Sequence, residues 1–197
     1  MADVVLVDAG GTNIGSVRYA LLRLGAEAEL TADPERIRAA SHVILPGVGA
    51  APPGMARLRE ANLVQVLRGL AQPVLGVCLG MQLLCESSDE GDTLCLGVVP
   101  GRARRFTATP GLRIPHMGWT TLQPTQPHPL LRGIGEDAWT YFVHSFALPA
   151  GEHTLATSTH GEPFSAVIGR GNFFGMQFHP ERSARTGARL LANFLDL

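Results

Sequence analysis

The chain has 197 residues, 45% of them hydrophobic and 17% charged, with a formal net charge of −1. That composition excludes a disordered chain and suits one globular domain with a substantial core. The near-neutral balance offers no electrostatic basis for nucleic acid or an anionic membrane as a partner, and no apolar run reaches the roughly 18 residues of a spanning helix.

In chain order, Val4 to Val7 reads as a buried strand. A helix is expected from about Asn13 through Leu24, with Val17, Ala20, Leu21 and Leu24 on one face and Gly25 as its stop. Short strands at Ala28 to Leu30 and Val43 to Leu45 follow, then a helix from near Gly54 to Leu70 with Leu58, Leu63, Val66 and Leu70 inward. Val74 to Val77 is the next strand. Strands alternating with helices imply right-handed crossovers and a parallel sheet, with the site at the carboxyl ends of the strands. From about residue 94 to 178 the pattern breaks into short apolar runs, and Leu112 to Ile114, Trp139 to Val143, His153 to Ala156 and Ala166 to Ile168 read as antiparallel strands. A closing helix from Ala184 to Leu195 is expected to bury Ala188, Leu191 and Leu195. The expected fold is therefore α/β: a mixed, mostly parallel central sheet flanked by helices, with an antiparallel extension.

All 16 basic residues are arginine, which excludes a Schiff-base lysine. Arg102, Arg104 and Arg105 are the one tight basic group, read as the solvated face of a strand. Three cysteines without metal-like spacing argue for a reducing compartment, and with no signal-peptide layout at the start a cytoplasmic location is expected. Cys85 is read as core on the same helix face as Cys78, and Cys95 as a buried strand residue. The seven histidines form no cluster at ligand spacing, so neither metal nor cofactor is expected.

The chemistry begins at Cys78, which ends an apolar run and has Gly76 and Gly80 two residues to either side. This is a cysteine version of the strand–nucleophile–helix elbow, in which any Cβ at the flanking positions would collide across the turn. The turn exposes the sulfur at a helix N-terminus, whose dipole favours negative charge there. On this motif alone a buried cysteine in a tight turn remains an alternative. A second block reads Gln177-Phe178-His179-Pro180-Glu181. A cysteine nucleophile needs a base, and the base needs a carboxylate to hold its tautomer, so Cys78, His179 and Glu181 make a candidate triad. Singly, His179 reads equally as a strand-end histidine and Glu181 as a helix-start carboxylate. A third block, Leu45-Pro46-Gly47-Val48-Gly49, closes an apolar strand with a glycine-rich loop.

Together these blocks resemble the triad (class I) glutamine amidotransferases, whose fold is flavodoxin-like. Within that family, Pro46-Gly47-Val48-Gly49, Pro115-His116-Met117-Gly118-Trp119 and Tyr141-Phe142-Val143-His144-Ser145-Phe146 resemble the glutaminase subunits of imidazole glycerol phosphate synthases, over nearly the whole chain. The resemblance implies that Cys78 attacks the side-chain carbonyl of L-glutamine, with His179 as base and Glu181 as its orienter. It implies an oxyanion hole from N–H groups around Val48, Gly49 and Leu79, and substrate binding by Gln82, His144 and Ser145. The alternatives are an ordinary turn for Gly47 and Gly49, the first turn of the elbow helix for Gln82, and a polar strand end for His144 and Ser145. It implies ammonia delivery, within a heterodimer, to a (β/α)8 cyclase subunit that converts PRFAR to imidazole glycerol phosphate and AICAR in histidine biosynthesis. Met117, Trp119, Tyr141 and Arg182 form the expected interface; local packing is their alternative, for Trp119 above all.

Departures from the resemblance are Asp8-Ala9-Gly10-Gly11 in the first loop, Ala50-Ala51-Pro52-Pro53 after the oxyanion loop, Thr120 in place of Asn, and Arg182 in place of Lys. None touches the triad. Three other readings remain: a glutaminase for another synthase, a stand-alone cysteine hydrolase, and a scaffold that kept the fold. The His-Met-Gly-Trp block opposes the first, the His-Pro-Glu triplet the second, and the intact triad the third.

Overall fold

A computed structural model describes residues 2–8 and 14–197. Ala9, Gly10, Gly11 and Asn13, named in the sequence pattern, lie outside the described residues. The first half alternates strand and helix: β1 (Val4–Val7), α1 (Ile14–Arg23), β2 (Ala28–Thr31), α2 (Pro34–Ala39), β3 (His42–Gly47), α3 (Ala51–Glu60), α4 (Leu63–Arg68), β4 (Val74–Cys78) and α5 (Leu79–Leu84). The second half is mostly strand: β5 (Cys85–Ser88), β6 (Thr93–Leu94), β7 (Val99–Arg105), β8 (His116–Thr121), β9 (Gln123–Pro124), β10 (Trp139–His144), β11 (Phe146–Ala147), β12 (Thr154–His160), β13 (Glu162–Arg170) and β14 (Phe173–Met176). The last helix is α6 (Ala184–Leu195).

Eight strands form one sheet in the order β2-β1-β3-β4-β14-β13-β12-β9. The five from β2 to β14 are parallel and the rest antiparallel, the mixed sheet with an extension that the sequence pattern predicts. Its central strands are buried on both faces: Val4 and Leu6 enter one apolar cluster, Val5 and Val7 the other. This explains why they read as unbroken apolar runs rather than alternating ones. β8 and β10 form a separate two-stranded ribbon, and β11-β7-β5-β6 a small four-stranded sheet.

Several local expectations change. The helix expected from Gly54 to Leu70 starts earlier and splits, because Pro52 and Pro53 sit in the first turn of α3, where a missing N–H costs nothing, and Asn62 is left-handed at φ 57°. Leu112 to Ile114 is not a strand; the chain turns there, between Pro110 and Pro115, neither of which has an N–H for a ladder. α5 ends at Leu84, so Cys85 opens β5 instead of extending the helix, although it is buried; Cys95 is buried just past β6, outside any strand. α6 buries Gly187, Leu190, Leu191, Asn193 and Phe194 rather than Ala188 and Leu195. A Cβ at Gly187 would collide with the Pro180 carbonyl, and this close approach selects the face.

Candidate active site

Cys78 is the last residue of β4 and the residue before α5, with φ 54° and ψ −111°. A non-glycine residue in that region stores roughly 1–3 kcal/mol of strain, and such strain gathers at functional sites. The glycine pattern has a steric cause. A Cβ on Gly76 would lie 2.6 Å from the Gly80 carbonyl oxygen, and one on Gly80 would overlap the Leu45 carbonyl. A Cβ on Gly47 would lie 2.6 Å from the Gly80 nitrogen. The end of β3 therefore crosses directly over the start of α5, and this contact sets the Val48–Gly49 loop beside Cys78 and Leu79. Gly49 has φ +96°, a conformation that any side chain would strain.

His179 lies three residues past the end of β14, the parallel neighbour of β4. Its Nδ1 is 3.0 Å from Glu181 Oε1. Burial disfavours the imidazolium, but hydrogen bonds to Cys78 and Glu181, together with their charges, outweigh that and push His179 up to about 10. The ring thus has its Nδ1 on the carboxylate and shares a pocket with the sulfur, the set of groups a nucleophile–base–orienter relay needs. The Cys78 thiol also points toward the Val143 carbonyl at 3.9 Å.

A cavity of about 300 Å³ opens over the sulfur, lined in part by Val48, Gly49, Leu79, Gln82, Ser145 and His179. The predicted oxyanion and substrate residues therefore share one pocket with the candidate nucleophile. Gln82 is held from both sides: its Nε2 donates to the Phe146 carbonyl at 2.9 Å and to Gln177 Oε1 at 3.0 Å. With both amide hydrogens committed, its Oε1 is the group left to accept from a substrate.

Met117, Trp119, Tyr141 and Arg182 converge at one patch next to the triad. The Arg182 guanidinium sits 4.6 Å over the Tyr141 ring, and Trp119 packs edge-on to Tyr141 at 5.8 Å. Trp119 is 49% exposed and Met117 64%, so neither is core.

The sequence comparison decides the family. The profile described as "Glutamine amidotransferase class-I" matches residues 5–197. The chain belongs to the class-I glutamine amidotransferases. Among its relatives, the "Imidazole glycerol phosphate synthase subunit HisH" of Xylella fastidiosa (strain Temecula1) is 53% identical, and that of Xanthomonas axonopodis pv. citri 55% identical, each over 100% of this chain and 98% of the relative. Among solved structures, one titled "Crystal structure of glutamine amidotransferase" is similar with TM-score 0.76 at 22% identity, covering 98% of this chain and 97% of that one. PurLQS from Thermotoga maritima is similar with TM-score 0.73 at 18% identity, over 100% and 99%. These two bear on the fold alone.

Two residues at or behind the candidate site were not found by sequence reasoning. Glu90 lines the pocket, and its Oε2 accepts from the Ala51 N–H at 2.7 Å, tying the loop after Gly49 to the pocket wall. Nothing in Ser88-Asp89-Glu90 marks one acidic residue as special. Ser183 is fully buried; its hydroxyl donates to the His179 carbonyl at 2.7 Å and accepts from the Tyr141 N–H at 3.0 Å. Its place four residues after His179 was the available signal. Among the described residues, no group of three or more His, Cys, Asp or Glu could hold a metal, and no helix is long and apolar enough to cross a membrane.

Proposed function

We propose that the chain is the glutaminase subunit of an imidazole glycerol phosphate synthase, acting as a single amidotransferase domain. It hydrolyses L-glutamine to glutamate and ammonia and passes the ammonia to a cyclase subunit in histidine biosynthesis. The observation that carries this reading is the left-handed Cys78 in one pocket with His179, whose Nδ1 is held by Glu181. The full-length similarity to HisH subunits supports the choice of synthase.

Cys78 Sγ attacks the glutamine side-chain carbonyl, and the N–H groups around Val48, Gly49 and Leu79 receive the developing oxyanion. One such donor is worth roughly 3 kcal/mol of barrier. His179 gives its proton to the leaving ammonia, forming the thioester, and then takes one from water as the acyl group is hydrolysed to glutamate. Glu181 holds the ring and supports its positive charge throughout. Gln82 Oε1 and the Glu90 carboxylate suit the α-ammonium of glutamine, and Ser145 lines the same pocket.

Ammonia released into water at neutral pH becomes ammonium and loses its nucleophilicity. Delivery therefore calls for a partner seated over the site, and the exposed patch of Met117, Trp119, Tyr141 and Arg182 is the proposed seat for a (β/α)8 cyclase subunit in a cytoplasmic heterodimer. The test is glutamate release from glutamine by the purified chain, alone and with a cyclase subunit and its nucleotide substrate, with Cys78→Ser as blank. Stimulation by the cyclase that disappears in Cys78→Ser is the expected result. Equal rates with and without the cyclase would keep the glutaminase and discard the assignment to this synthase.

A further inference from the structure

β8 and β10 pair antiparallel with His116 opposite His144, both turned inward and buried. Neither ring takes part in the proposed chemistry, yet their hydrogen bonds form a continuous chain. His144 Nδ1 lies 2.9 Å from the Phe146 carbonyl oxygen, which can only accept, so Nδ1 carries the proton. Burial favours the neutral ring in both residues, pushing His144 down to about 3 and His116 down to about 4; the neighbouring His160 acts in the same direction on both, as do His116 and His179 on His144, against the Phe146 hydrogen bond. A neutral ring has one N–H. His144 Nε2 is therefore an acceptor, and His116 Nδ1, 3.1 Å away, must donate to it. His116 Nε2 is then bare and accepts from the Thr120 hydroxyl at 2.9 Å.

Every proton in the chain is assigned, and it runs one way from Thr120 through His116 and His144 to the Phe146 carbonyl. That carbonyl is the same one that Gln82 Nε2 holds at 2.9 Å. The ring planes are fixed by stacking: His116 lies against Phe142 at 4.9 Å and His160 at 4.2 Å, while Phe106 meets His144 edge-on at 5.2 Å. His160 is itself anchored by its Nε2 to the Arg113 carbonyl at 2.8 Å. A buried polar chain is tolerated when every member is satisfied, and it then specifies one geometry.

We propose that His116 and His144 are positioning residues for the glutamine pocket: a neutral pair, both in the Nδ1–H tautomer, that holds the Phe146 carbonyl and through it the orientation of the Gln82 amide. His144 also lines the pocket itself, so this positioning role stands beside its predicted role in substrate binding. The link from pocket order to glutamine binding rests on the glutaminase reading; the tautomers do not.

Two measurements test it. In the 15N spectrum of the histidine-labelled protein at pH 7, His116 and His144 should each show a protonated Nδ1 and a bare Nε2. The signals are assigned by their loss in His116→Asn and His144→Asn. An Nε2–H form of either ring overturns the proposal. In the assembled synthase, His116→Leu should raise KM for glutamine about ten-fold, the scale of one lost buried hydrogen bond, while kcat changes by less than about three-fold. His116→Asn, whose amide N–H can occupy the Nδ1 position, should recover most of the KM. An unchanged KM in His116→Leu, or an Asn variant no better than the Leu variant, overturns the positioning role. If the wild-type chain releases no glutamate even with the cyclase, the glutaminase reading fails, and the spectra still decide the tautomers.

Discussion

The backbone N–H of His179 donates to the carbonyl of Tyr141 at 2.9 Å, so the candidate base hangs from the strand whose outer face carries the exposed aromatic patch. Ser183 Oγ doubles the link by bonding the His179 carbonyl and the Tyr141 N–H. Anything that displaces β10 therefore acts on the His179 backbone directly. Ser183→Ala removes both bonds and leaves a buried carbonyl and N–H without that partner. The expected loss is about 1–3 kcal/mol of stability, read by urea denaturation, with a fall in kcat greater than any change in KM. A variant with wild-type kcat would show that the clamp is structural only.

The elbow glycines give a sharper steric expectation. Gly80→Ala places a methyl group into the Leu45 carbonyl, a backbone atom that cannot swing aside. The variant should lose more than about 3 kcal/mol or fail to fold. Gly49→Ala differs: there is open space around the Cβ, but φ is +96°. Strain of roughly 1–3 kcal/mol should appear there as a reshaped loop and a lower kcat, with the fold intact by circular dichroism. If Gly49→Ala keeps the full rate, the loop does not supply the oxyanion donors.

How far the sequence carried these features depends on how local their causes are. The elbow and the His179–Glu181 pair were legible because steric and chemical demands confine them to a few adjacent residues, Gly76 to Gly80 and His179 to Glu181. The parallel core was legible because burial on both faces leaves unbroken apolar runs. The split at Asn62 was not, since an asparagine in the left-handed region leaves a helical apolar pattern intact on either side. The face of α6 was misjudged because a backbone contact between Gly187 and Pro180 chose it, and periodicity does not report such contacts. Glu90 and Ser183 were missed for a related reason: each acts on backbone groups brought near by the fold.

The His179 shift fixes the sign of the alkaline limb. Its protonated form is favoured in the folded chain, with the pKa raised from 6.5 to about 10 by Cys78 and Glu181 against the opposing effect of burial. Stability from this charge is fully present below about pH 6.5 and is lost as pH rises through about 10. Glu181→Gln removes one of the two raising partners, so the alkaline limb of kcat/KM should move to lower pH by about one unit, equivalent to ~1.4 kcal/mol. An unmoved limb would mean that the carboxylate does not support the imidazolium.

His116 and His144 carry the opposite sign. Their folded values lie near 4 and 3, below the ordinary 6.5. The unfolded chain binds the extra protons, so this stability is present above about pH 6.5 and falls away as pH drops toward 4. Each ring adds a slope of up to about 1.4 kcal/mol per pH unit in that window. Urea denaturation from pH 7 to pH 4.5 should show the loss, and His144→Asn should flatten it. An equally steep slope in the variant would assign the acid sensitivity to other groups.

Trp119 gives the cleanest separation of partner binding from chemistry. Its ring is half exposed and touches Tyr141 edge-on, and Trp119 is not among the residues that line the pocket. Large aromatic side chains that are buried on association contribute about 2 kcal/mol or more at a well-packed interface centre, and aromatic and arginine residues are enriched there. Trp119→Ala should therefore weaken cyclase affinity by at least about thirty-fold, the factor that 2 kcal/mol represents, and reduce the stimulation of glutamate release at fixed cyclase concentration. Glutamate release by the chain alone should stay at its wild-type level, because the Cys78–His179–Glu181 geometry does not depend on the indole. Isothermal titration of the cyclase subunit with each variant reads the affinity directly. Wild-type affinity in Trp119→Ala would move the docking surface away from the β8–β10 ribbon.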